Sequence, residues 1–232
     1  MLQELIIYTI YSIMPSELVN KNTIIIAINI NSLISLEKKY FLLKLIKIYN
    51  PDIILLSETK LNQKHKLIID GYNIIRNDRP NSIQGGGTAI IIKKNYKYKI
   101  IDNILTKKQT CIESSTILLK LKNNENLYIM SIYASQNNQH NFNKEFEEIF
   151  STLKLDKLEN YYIIGGDMNA KHTNWNNKEN NSRGISLNDW INYNSITYKS
   201  KLHYTDAPTY PRTNASLSIT EYILIQLHNK DF

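Results

Sequence analysis

YYIIGGDMNAKHTNW, residues 161–175, begins as an apolar strand and ends in groups that can do chemistry. Tyr161 to Ile164 is the pattern of a strand buried on both faces. Gly165-Gly166 stops it, and Asp167 and Asn169 follow at once, which puts oxygen and amide groups at a strand end, where active sites of α/β folds collect. The glycines carry weight because the chain has only seven in 232 residues, at 71, 85–87, 165–166 and 184. A chain that avoids glycine keeps it where positive φ or close backbone approach demands it.

The same pattern recurs outward from this segment. Thr23 to Ile30 (TIIIAINI) is a β-branched buried strand ending at Asn29 and Asn31. Leu36 to Tyr49 has helical spacing with Leu42, Leu43, Leu45 and Ile46 inward, and Asn50-Pro51 ends it. Asp52 to Leu56 is a second buried strand, followed by Glu58. Strands are expected at 72–76 and 88–92 about a glycine turn, and at 115–121 and 127–133 across Lys122-Asn123-Asn124-Glu125-Asn126, with Tyr133 at the last end. Helices are expected at 142–155, with Phe146, Ile149, Phe150 and Leu153 on one face, and at 185–193. A final strand spans 218–225 and includes Glu221. Buried strands, hairpins and intervening helices give an α/β fold, a four-layer α/β sandwich of two packed mixed sheets flanked by helices.

Composition narrows the chemistry. Lys and Arg number 28 against 21 Asp and Glu, a formal net charge of +7 that favours a polyanionic partner such as DNA. Only four of the basic residues are Arg: Arg76, Arg79, Arg183 and Arg212. A single cysteine, Cys111, excludes an intrachain disulfide and thiolate zinc sites. It sits in an apolar, strand-like context and reads as a core residue. An intracellular setting follows, nucleus or cytoplasm. The start, MLQELIIYTIYSIM, lacks a signal-peptide pattern and is too short and too punctuated to span a bilayer, so no membrane role is expected. Residues 1–22 read as an N-terminal extension, a short helix or upstream sequence, and 23–232 as the domain.

Hard oxygen ligands with few histidines suit Mg2+ or Mn2+. Taken singly, each candidate has an ordinary reading: an acid after a strand is often a helix cap or turn residue. Their order is more specific. ININSL, NPDIILLSETKL, GYNIIRNDRPNSIQGGGTAIIIK, SIYAS, YYIIGGDMNAKHTNW with the later SRG, and APTYPR with SLSITEYIL resemble, in family order, the segments of the endonuclease/exonuclease/phosphatase superfamily. They are most similar to the apurinic-like endonuclease domain of non-LTR retrotransposons, and all seven glycines lie inside them.

The resemblance implies a role for each position. Glu58 would be the principal ligand of Mg2+ (or Mn2+), with Asn31 beside it. Asp167 would align the attacking water. Asn169 and Asn29 would hold the phosphate and support the acid network. Tyr133 would stabilise charge at the phosphate or leaving group, and Glu221 stands where the family has Asp. Arg76, Arg79, Lys171 and His172 would meet the DNA backbone. A reverse transcriptase domain would accompany this one in a full-length element. The family closes with a Ser-Asp-His segment, whereas this chain ends LHNKDF, with His228 and Asp231 in the wrong order. The sequence therefore reads as a C-terminally truncated domain with weak or absent nicking activity. Two other readings stay open: a catalytically dead fragment that keeps the fold and nucleic-acid binding, and a phosphodiesterase or phosphatase acting on another substrate.

Overall fold

Two sheets packed face to face make the centre of the computed structural model, which describes residues 6–10, 23–79, 85–102, 104–105, 111–121, 124–136, 139–204 and 221–226. The first sheet contains β1 (Ile6–Ile10), β2 (Thr23–Asn29), β3 (Ile53–Ser57), β4 (Tyr72–Asn77) and β5 (Thr88–Lys93), in the order β1-β2-β3-β5-β4. The second contains β6 (Lys99–Ile100), β7 (Ile112–Lys120), β8 (Asn126–Ala134), β9 (Asn160–Asp167), β10 (Ser200–His203) and β11 (Glu221–Gln226), in the order β10-β11-β9-β8-β7-β6. Each sheet is mixed: β2 and β3 are parallel, as are β8 and β9, and the remaining pairs are antiparallel.

Strand alternation sorts the core into layers. Ile25, Ala27, Leu55 and Ile90 face Ile117, Ile129, Ile163 and Ile223 between the sheets. The opposite faces of the same strands carry the outer layers. Ile26, Ile28, Ile54 and Leu56 pack under helix α1 (Leu36–Tyr49) through Leu42 and Leu45. On the second sheet, Ile132, Tyr162 and Ile164 pack under α2 (Phe142–Thr152) and α3 (Ser182–Tyr193) through Phe146, Phe150, Leu187 and Trp190. A short α4 (Ser195–Tyr198) closes that side. This is the four-layer sandwich expected from sequence.

Several details depart from the sequence expectation. Residues 6–10 are not helical: they form an edge strand antiparallel to β2, so part of the supposed extension belongs to the sheet. Five residues of β-branched and aromatic type beside an open edge pair more readily than they coil. Leu43 is 49% exposed and not inward, because Leu42 and Leu45 already define the buried stripe. α2 stops at Thr152, before Leu155, and Leu153 and Leu155 pack from the turns that follow. α3 begins three residues early because the Asn181 side chain accepts the Gly184 N–H at 2.7 Å. β6 and β10 are too short and too polar to leave a pattern. The strand expected from 218 begins at Glu221 among the described residues, and Lys122, Asn123, Ser218, Arg212, APTYPR, His228 and Asp231 lie outside them.

Two glycines show why those positions tolerate nothing larger. A Cβ on Gly166, whose φ is +143°, would run into the Ile132 carbonyl of the neighbouring strand. A Cβ on Gly184 would run into the Lys171 carbonyl, so this glycine lets α3 lie directly against the loop after β9.

Candidate active site

The site grows from two strand rungs at the same end of the sandwich. In the first sheet Asn29, Ser57, Thr88 and Asn77 are consecutive register partners. In the second sheet Glu113, Tyr133, Asp167 and Glu221 are consecutive partners. Polar bonds join the sheets here, where the apolar core stops. The Ser57 hydroxyl accepts the Asp167 N–H (3.2 Å), the Thr88 and Ser115 hydroxyls bond (2.8 Å), and the Ser131 hydroxyl donates to the Leu56 carbonyl (2.8 Å). Residues some 110 positions apart are thereby held in one polar layer.

Asn29 is the centre of that layer. It is 3% exposed, and its amide nitrogen donates to Glu58 Oε1 (3.0 Å) and to Asp167 Oδ2 (2.7 Å). Its Oδ1 accepts the Asn31 N–H at 2.9 Å. Both hydrogens of the amide are thus used on two carboxylates, so its geometry serves the acid network and leaves no donor for a phosphate. Asp167, 2% exposed, also accepts the Asn169 N–H on Oδ1 (2.8 Å). Asn169 Nδ2 donates to the Ala134 carbonyl (3.0 Å), which ties the end of β9 to the end of β8 beside Tyr133.

The backbone bends sharply around these groups. Asn31, Glu58, Lys60 and Asn169 have φ of 46°, 52°, 53° and 49°, the left-handed region that side chains other than glycine rarely adopt. Neighbouring segments fix the bend: the Glu58 carbonyl accepts from Ser32 N (2.8 Å), Thr59 N donates to Gly87 O (3.1 Å) and Lys60 N to Gly86 O (2.8 Å). Gly86 and Gly87 therefore support the Glu58 loop, a use of those glycines invisible in the sequence.

Tyr133 stands half-buried beside the carboxylates. Burial, then the charges of Glu58 and Asp167, raise its pKa far above the ordinary 10.0, so its hydroxyl stays protonated. Arg79 places its guanidinium 5.9 Å from the centre of the Tyr133 ring and pairs with Glu113, whose other oxygen accepts the Gly87 N–H at 2.7 Å. Glu113 left no signal in the sequence. It is found only through its register partner, Tyr133.

The remaining candidates are spread out. Arg76 pairs with Asp78 and donates to the carbonyls of His65 (2.8 Å) and Asn62 (3.0 Å), so it pins the loop after β3 and is not gathered with the site. Lys171 follows the Asp167 loop and lies 3.7 Å from Glu179. His172 caps a short turn, accepting the Asn174 N–H at 3.1 Å, and rests on Trp175. Glu221 is placed by its backbone opposite Asp167. Cys111 is buried, and burial pushes its thiol up to about 11, which fits its reading as a core residue.

Two neighbours of these groups were missed. Arg183, 5% exposed, donates to the carbonyls of Ala134 (2.9 Å), Met168 (3.1 Å) and Ser135 (2.6 Å). It clamps the chain just past both Tyr133 and Asp167, and burial lowers its pKa. It lies in the SRG string, where no local pattern marks it for burial. Lys60 lies with Nζ 2.5 Å from Asn31 Oδ1 and 3.4 Å from Glu58 Oε2. Asn31 and Glu58 thus converge on one cation, the Lys60 ammonium. Among the described residues no three His, Cys, Asp or Glu side chains cluster. The donor set is one carboxylate and one amide carbonyl, hard oxygens that fit Mg2+ or Mn2+ completed by water and phosphate. Among the described residues no helix is long and apolar enough to cross a membrane.

Known proteins are similar to this chain in sequence over part of its length and in fold. A family model described as Endonuclease-reverse transcriptase matches residues 127–225. The RNA-directed DNA polymerase from mobile element jockey of Drosophila funebris is 23% identical over 146 residues, 63% of this chain and 15% of that protein. The chain thus spans a small part of the curated relative it matches. Among solved structures, the endonuclease domain of TRAS1, a telomere-specific non-LTR retrotransposon, superposes with a TM-score of 0.59 at 16% identity, covering 79% of this chain and 77% of that one. The Xenopus laevis APE2 catalytic domain gives 0.59 at 16% identity, covering 87% and 82%. Residues 127–225 thus match the endonuclease–reverse transcriptase family model, and the fold of the chain is similar to that of the retrotransposon endonuclease domain.

Proposed function

We propose that the chain is a DNA endonuclease domain of retrotransposon type that hydrolyses a phosphodiester with Mg2+ or Mn2+ and leaves a nick. The observation that carries this reading is the Glu58–Asn29–Asp167 bridge at the shared end of both sheets, with Tyr133 beside it. Glu58 and Asn31 would hold the ion, which supplies Lewis-acid polarisation of a phosphoryl oxygen and neutralises developing charge.

The chain's own residues do the rest. Asp167 is oriented by the Asn29 amide and the Asn169 N–H, so its carboxylate aligns a water and accepts its proton. Tyr133, kept neutral by burial, donates a hydrogen bond to a phosphate oxygen as negative charge builds there. Arg183 keeps Tyr133 and Asp167 at a fixed separation from below. Arg79 beside Tyr133, and Lys171 and His172 on the loop after Asp167, lie where a DNA backbone would pass; such contacts position a duplex without reading it. Arg76 supports the neighbouring loop.

We place the domain at residues 23–232 with β1 added to its first sheet, acting on DNA in the nucleus or cytoplasm, and joined to a reverse transcriptase in a longer element. Nicking by the described residues alone is expected to be slow. The described histidines, His65, His140, His172 and His203, stand on other elements, and burial with Lys201 nearby lowers His203 to about 4. A positioned acid–base group contributes on the order of 10²–10⁴ in rate. The test is relaxation of supercoiled plasmid over long incubation, in Mg2+ and in EDTA. Slow relaxation that EDTA abolishes is the expected result. Turnover of a lipid or sugar phosphodiester with plasmid left intact would overturn the reading.

A further inference from the structure

Lys60 sits where the proposed metal ligands converge. Its Nζ is 2.5 Å from Asn31 Oδ1 and 3.4 Å from Glu58 Oε2. The backbone that carries it is fixed: Glu58 and Lys60 are both left-handed, and the segment between Glu58 and Lys60 bonds to Ser32, Gly87 and Gly86. Thr59 between them is fully buried. The loop therefore has no freedom to withdraw, and any movement of the ammonium is a rotation of its own side chain. That route is open, because the Lys60 side chain is 32% exposed whereas Glu58 is 19% exposed.

We propose that the Lys60 ammonium is a tethered cation that occupies the divalent-ion place between Asn31 and Glu58 and is displaced when the ion binds. The proposal rests on the metal reading given above. Its physical basis is competition: two oxygens that face one cation cannot ligate a second at full strength while the first remains. With no divalent ion, the lysine neutralises Glu58 and keeps the Asn31 carbonyl turned inward, so the cradle is preformed. Its occupancy weakens apparent metal affinity in return. An exposed or half-exposed ion pair is worth little, so displacement is inexpensive and the effect is modest, about fivefold in dissociation constant.

The experiment titrates the full chain with Mn2+ alone, reading free ion by its electron paramagnetic resonance signal. Wild type is compared with Lys60→Met and with Lys64→Met, an exposed lysine that gives the same charge change without touching the cradle. Each is repeated with Glu58→Gln. Binding about fivefold tighter in K60M, unchanged in K64M and lost with E58Q, supports the proposal. K60M binding that equals K64M, or is weaker than wild type, overturns it while E58Q-sensitive binding leaves the metal reading intact. If neither wild type nor K60M binds Mn2+, or if E58Q binds as wild type does, the metal reading fails and the proposal with it.

Discussion

Removing the Asn29 amide leaves Glu58 and Asp167 without their shared donor. In Asn29→Ala two hydrogen bonds to carboxylates are lost, at 3.0 and 2.7 Å, together with the turn bond from Asn31 N at 2.9 Å. A hydrogen bond to a charged group contributes about 1.5–3 kcal/mol and a neutral one about 1 kcal/mol. The buried Asp167 bond should sit near the top of that range and the partly exposed Glu58 bond below its bottom, because solvent replaces part of it. The expected loss is therefore about 3–5 kcal/mol in urea unfolding at neutral pH. A double-mutant cycle isolates the central bond. Asn29→Ala combined with Asp167→Ala should cost less than the two singles added, by about 1.5–3 kcal/mol. A single-mutant loss under about 1 kcal/mol, or additive effects in the cycle, would refute the reasoning, because the bridge would then not couple the two sheets.

Gly184→Ala tests close approach against helix propensity: alanine is the better helix former by about 1 kcal/mol, yet the clash with the Lys171 carbonyl should make the variant less stable in thermal melts. Arg183→Met strips the Ala134, Ser135 and Met168 carbonyls of a buried donor and should cost about 3 kcal/mol or more in urea unfolding, with Arg183→Lys intermediate. Burial raises the pKa of Tyr133, Tyr162 and Tyr198 above the unfolded value of 10.0. Their contribution to stability is therefore complete below pH 10.0 and is lost as pH rises beyond it, since the unfolded chain releases those protons first. Tyr162→Phe should flatten the alkaline fall of the urea midpoint relative to wild type, while a parallel fall would contradict the burial argument.

Much of the fold was legible because hydrophobic periodicity survives a biased composition. TIIIAIN and IILLS can only be strands covered on both faces, and that requires helices outside and a second sheet within. The glycines were legible for a related reason: Gly166 and Gly184 stand where a Cβ meets backbone, so no other residue fits. Asn29, Glu58 and Asp167 were found as strand-end groups, but their joining through one amide depends on two sheets stacked in a particular register, which no local pattern encodes. Lys60, Glu113 and Arg183 were missed for that reason. Each looks like an ordinary charged residue until residues distant in sequence arrive around it. Arg76 was misjudged in the opposite direction, because an arginine beside a glycine turn looks available for phosphate until the carbonyls of Asn62 and His65 are seen to hold it.

Glu58 and Asp167, joined through Asn29, are proposed as a metal-dependent DNA-nicking centre. Supercoiled-plasmid relaxation in Mg2+ by wild type, Glu58→Ala and Asp167→Ala tests it most directly. Slow relaxation by wild type is expected, reduced about 10²-fold or more by either substitution. Relaxation that survives both substitutions, or a wild type no faster than Asp167→Ala, would contradict it.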